Sequence, residues 1–108
     1  MHSKPSTAPL TISELRSALK PMFDKYHLKR LEVFGSAARG ELAPGSDIDL
    51  LVTPADNTSV AELLDMAGEA EELVGRRVDF VIRSRVEASP NPYARQHILD
   101  NALLLHGS

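Results

Sequence analysis

Apolar and polar positions change their period several times along the chain, and each change marks an element. Thr11 with Glu14 three residues on forms a capping box, in which side chains satisfy the free donors of a helix start. Leu15, Leu19, Met22, Phe23 and Tyr26 then recur on one helical face. Pro21 falls inside this stretch without an N–H to give, so the pattern predicts either a kink or two short helices. Leu31 to Phe34 predicts a short strand, and Ser36 to Gly40 a tight turn or one helical turn. Asp47 to Thr53 (DIDLLVT) is the clearest strand, apolar on both faces apart from its two acids. Ser59 with Glu62 is a second capping box. It opens a helix with Val60, Leu63, Leu64, Ala67 and Leu73 as its apolar stripe, and Glu62, Asp65, Glu69, Glu71 and Glu72 opposite. Val78 to Ile82 predicts a third strand, with Phe80 on one side and Asp79 and Val81 on the other. Asn91 followed by Pro92 starts a final helix. That helix and Tyr93 are expected to pack in the core, and Leu103 to Leu105 to close the sheet as an edge strand.

Helices alternating with strands place the chain in the α/β (α+β) class, a small sheet with helices packed on it. At 108 residues there is room for one domain, expected over residues 11–106. Residues 1–10, rich in Ser, Pro and Thr, are expected to be a disordered tail or a cloning remnant. A net charge of −3 argues against a dedicated nucleic-acid binder, so no direct nucleic-acid binding is expected. It permits a local basic site, and Arg76, Arg77, Arg83 and Arg85 cluster around the third strand. They read as a general basic rim, with an acidic partner, RNA or phosphate as alternatives. The absence of cysteine excludes disulfides and thiolate metal sites. No apolar run approaches the roughly 20 residues that span a bilayer, which predicts no membrane partner and a cytoplasmic protein. His2, His27, His97 and His106 lack any metal-ligand spacing.

Chemistry concentrates between Phe34 and Leu51. Gly35-Ser36 ends one strand, ten residues intervene, and Asp47-Ile48-Asp49 opens the next. Strand side chains alternate, so Asp47 and Asp49 share a face about 6–7 Å apart and repel each other. A divalent cation is the natural compensation. Magnesium takes one or two carboxylates and completes its shell with waters and phosphates. Asp79 is a third acid, isolated in an apolar strand, where a carboxylate is costly without a partner. A third strand lying beside the second would bring Asp79 to the pair and make a two-metal phosphoryl-transfer site. The bland alternative for Asp79 is an ion pair with Arg76 or Arg77. Gly35 lets backbone approach a ligand, and the turn after it offers free N–H groups to an anion. Ser36 adds a hydroxyl, and is equally suited to capping that turn.

The GS-x10-DxD pattern, the GSAARGE segment from Gly35 to Glu41 and the later lone Asp resemble the DNA polymerase β-type nucleotidyltransferase superfamily. The short length and the PYARQHIL helix are similar to its minimal nucleotidyltransferases, the MNT proteins, over roughly Leu15 to Leu105. The resemblance implies a polymerase β palm-like fold, a small mixed sheet with helices on one face. It implies ATP as substrate and two Mg2+ ions, with Asp47 and Asp49 holding both. Asp79 would complete the catalytic metal site and accept the acceptor's proton. Gly35 and Ser36 would bind the triphosphate. Arg39 matches the family's arginine and either contacts phosphate or pairs with Glu41 or an active-site acid; its bland reading is a surface salt bridge worth little. Such proteins are commonly antitoxins of HEPN-domain ribonuclease toxins. The implied activity is transfer of AMP to a toxin tyrosine within a hetero-oligomer. Two competing expectations remain: a non-catalytic antitoxin acting by binding alone, and a transferase acting on a small molecule or an RNA end.

Overall fold

The computed structural model describes residues 11–40 and 46–107. The expected tail over residues 1–10 lies outside the described residues, as does Glu41 with its expected pairing to Arg39. Helix α1 (Ile12–Lys25) leads into β1 (Arg30–Phe34) and β2 (Ile48–Thr53), followed by α2 (Val60–Val74) and β3 (Val78–Ile82). A short α3 (Arg83–Glu87), α4 (Pro92–Asn101) and β4 (Leu103–Gly107) complete the chain. The sheet order is β3-β2-β1-β4. β1 pairs antiparallel with β2 and β4, whereas β3 runs parallel to β2.

Both predicted capping boxes form. Thr11 Oγ1 accepts from the Glu14 N–H at 3.1 Å, and Ser59 Oγ accepts from the Glu62 N–H at 3.1 Å. Pro21 sits inside one continuous α1, so the helix does not divide there. Leu15, Leu19 and Met22 on either side of it are fully buried, and that packing holds the helix across the missing hydrogen bond. The stripe of α2 differs from expectation. Val60 and Leu64 are each 70% exposed, and the buried positions are Met66 and Ala70, flanked by Leu63 and Leu73. A helix turns about 100° per residue, so a stripe through 63, 66, 70 and 73 leaves Leu64 facing away.

The sheet has two different faces. Leu31, Val33, Ile48, Leu50, Val52 and Phe80 pack with α1 and α2 in the main core. By strand alternation Glu32, Asp49, Leu51, Asp79 and Val81 occupy the other face. There α3, absent from the sequence-based expectation, packs over β2 and β3. It buries Val86 while Leu51 beneath is fully shielded, and neither belongs to the main cluster. Helix α4 leans on α3 and contains no buried residue. Tyr93 is 87% exposed, so the expected core packing of this helix and of Tyr93 does not occur. The reason is topological: α1 and α2 already cover the core face before the chain reaches α4.

Candidate active site

Asp49 and Asp79 are register partners in the parallel β2–β3 pair. Laterally paired residues of neighbouring strands face the same way, so both carboxylates project from the second face. Asp47 stands immediately before β2, two positions from Asp49. Asp47 and Asp79 are exposed, while Asp49 is half-buried. Burial pushes the Asp49 carboxyl above its ordinary range, and the charges of Asp79 and then Asp47 push it further. The three acids therefore share one electrostatic neighbourhood. Among the described residues Asp79 forms no ion pair, so the alternative pairing with Arg76 or Arg77 is not what forms. Arg76 reaches the Ser46 carbonyl at 3.5 Å.

The glycine-serine bend meets these acids through β1. Phe34 is the register partner of Asp49, and Gly35 follows with φ of +71°. A side chain at Gly35 would drive its Cβ into Asp49 Oδ2. The left-handed backbone calls for glycine, and any side chain there would also make the Asp49 carboxylate shift. Residues 35–40 form a turn in which the Arg39 N–H bonds to the Ser36 carbonyl and the Gly40 N–H to the Ala37 carbonyl, each at 3.1 Å. Ala37, 3% exposed, anchors the turn in the core, leaving Ser36 half-buried and Arg39 exposed.

Among the described residues no three His, Asp or Glu side chains form a ready-made cation cage. The donors nevertheless suit a hard divalent cation of the kind that substrate phosphates help to enclose. All are carboxylate oxygens; burial raises the Asp49 carboxyl most, and the charges of Asp79 and Asp47 add a repulsion that such a cation would relieve.

A model of the family described as "Nucleotidyltransferase domain" matches residues 12–105. The chain belongs to the nucleotidyltransferase domain family. It is 33% identical over 85 residues to protein adenylyltransferase MntA of Thermococcus cleftensis, covering 75% of this chain and 86% of that protein. A solved structure described as a candidate minimal nucleotidyltransferase superposes with a TM-score of 0.69 at 30% identity, over 87% of this chain and 95% of the other. A third relative in fold is a solved complex of a tri-AMPylated Shewanella oneidensis HEPN toxin with an MNT antitoxin. It has a TM-score of 0.63 at 18% identity, over 91% of this chain and 74% of that one. In this chain the mixed sheet carries α1 and α2 on one face and presents Asp49 and Asp79 on the other.

One buried charge beside the acids is not among the residues expected from the sequence. Glu32 is 3% exposed and is the buried charged residue of the described chain, one row behind the acids on the same face. Arg83 Nη1 donates to its Oε1 at 2.6 Å, and Arg30 Nε lies 3.1 Å from the same oxygen at an angle too poor for a hydrogen bond. Burial opposes the charge on Arg83, but Glu32 and Glu87 hold its pKa above the ordinary arginine value. The pair ties the start of α3 to the sheet. A lone Glu in the apolar strand RLEVF is the same signal that drew attention to Asp79, and it would have found this residue too.

Proposed function

We propose that this nucleotidyltransferase moves AMP from ATP to a tyrosine hydroxyl of a HEPN-domain ribonuclease toxin, silencing it as its antitoxin. The observation that carries the reading is the register match of Asp49 with Asp79, beside Asp47 and against Gly35. The name of the Thermococcus relative and the AMPylated toxin in the Shewanella complex support the acceptor class.

The acceptor oxygen attacks the α-phosphorus of ATP, the bond from that phosphorus to the bridging oxygen breaks, and pyrophosphate leaves. The hydroxyl proton passes to the Asp79 carboxylate, which is exposed to an incoming acceptor, and from there to water. The Gly35 backbone, the Ser36 hydroxyl and Arg39 hold the triphosphate. Asp47, Asp49 and Asp79 would hold two Mg2+ ions, which when bound neutralise the phosphates and ease deprotonation of the nucleophile. A supply of ATP points to the cytoplasm. Among the described residues no helix is long and apolar enough to cross a membrane. The acceptor's own docking supplies specificity, which implies a hetero-oligomer with the toxin and no need to bind nucleic acid directly.

The test mixes the chain with its HEPN partner, ATP and Mg2+ and weighs the partner. One AMP or several AMPs should be added, and the partner should lose ribonuclease activity. An unchanged partner mass, with both proteins folded, overturns the proposal. The D47N/D49N double variant should add no AMP. Full neutralisation by that variant would establish occlusion in place of catalysis.

A further inference from the structure

Between α3 and α4 lies an open cleft of about 210 Å3 that the transfer reaction does not use. Buried Val86 and half-buried Ile98 line it together with Ser89, Ala94 and the two cationic residues Arg85 and Arg95. We infer that this cleft docks an acidic side chain of the acceptor protein, an inference that rests on the proposed protein acceptor.

Placement comes first. α3 packs on the sheet face that carries Asp49 and Asp79 and leaves Asp79 exposed, so a protein presenting a hydroxyl to those acids approaches the side of the sheet on which α3 lies. Charge is the second argument. The chain as a whole carries −3, yet residues 76–95 hold five arginines against two acids, Asp79 and Glu87. Arg83 is committed to Glu32 and Glu87. Among the described residues Arg85 makes no ion pair, although it is exposed at the cleft. Rigidity is the third. Arg95 Nη1 donates to the Ser89 carbonyl at 3.2 Å, and Ser89 Oγ accepts from the Asn91 N–H at 3.2 Å, so Arg95 is held in place before any partner arrives. The Glu32–Arg83 pair fastens α3 beneath it. Size selects among anions. Pockets for drug-sized ligands run from about 300 to 1,000 Å3, so this volume suits one side chain and not a whole nucleotide. A carboxylate paired with Arg85, its methylenes against the apolar lining of Val86 and Ile98, satisfies both the charge and the apolar character of the cleft.

The experiment titrates the full-length chain with the HEPN protein in the absence of ATP, comparing wild type, R85A and R85E. R85E should weaken binding about tenfold or more, R85A by less, and the salt dependence of binding should flatten in both. The KM for ATP should stay at the wild-type value. Equal affinity for all three chains, with matching thermal midpoints, overturns the inference. So does a raised KM for ATP with unchanged protein affinity, which would make the cleft part of the nucleotide site. Loss of binding to a single-stranded RNA, with HEPN affinity intact, would assign it to nucleic acid instead and equally overturn it. Failure of the wild type to bind the HEPN protein also overturns it. Tight binding without AMP transfer, by contrast, would sink the transferase proposal and leave the docking site standing.

Discussion

Gly35 and Asp49 illustrate how closely the site is fitted. The left-handed φ of Gly35 costs an L-residue about 1–2 kcal/mol, and a Cβ there also displaces the Asp49 carboxylate. Gly35→Ala should therefore lower unfolding stability by about that amount in urea titrations. It should reduce AMP transfer about a hundredfold, because a reacting geometry moved by an ångström loses that much. Asp49 carries the opposite conflict. Its folded pKa is raised by burial and by Asp79 and Asp47. Its favourable contribution to stability is thus complete only below the ordinary carboxylate range, and is lost as pH rises through the raised folded value. Ionised Asp49 therefore destabilises the fold at neutral pH. Without added Mg2+, D49N should melt above the wild type at pH 7, with the gap closing as pH falls through the carboxylate range. Transfer by D49N should drop at least about a hundredfold. A D49N melting point at or below wild type at neutral pH would contradict this account.

Among the elements, α3 matters out of proportion to its five residues. It has no side-chain cap, and its hold on the sheet comes from Val86 and from the Arg83–Glu32 pair. Glu32→Ala leaves Arg83 and Arg30 facing a half-empty, low-dielectric pocket. The expected cost is about 2–3 kcal/mol, read as a lower denaturant midpoint, with hydrogen exchange rising first in α3 and α4. The isosteric E32Q should recover only part of that loss. The long helices were legible from sequence because their caps and periods are local. Thr11–Glu14 and Ser59–Glu62 form as read, and β1, β2, β3 and β4 fall where the apolar runs put them. The phase of α2 and the exposure of α4 were not legible. Which apolar residue is buried depends on what lies opposite, and Leu64 and Tyr93 have nothing opposite them.

Taken whole, the molecule brings together Asp49 and Asp79 from two strands that α2 separates in the chain, with Asp47 just before the first, and sets the paired acids on the face its main core does not use. Asp79→Asn tests that assembly. It should cut AMP transfer by about two to four orders of magnitude in a single-turnover assay, while affinity for the HEPN partner changes little. An unaffected rate would remove Asp79 from the reaction. The spacing of Gly35, Ser36, Asp47 and Asp49 was readable from the chain because a bend and a two-residue alternation are short-range consequences of backbone geometry. So was the class of chemistry, since paired carboxylates next to a glycine bend admit few uses. Nothing local states that β3 runs parallel beside β2 in the register that sets Asp79 against Asp49, or that Glu32 meets Arg83 across the sheet. Those contacts join residues far apart in sequence, and their energies depend on burial that exists only once the two faces of the sheet have been covered.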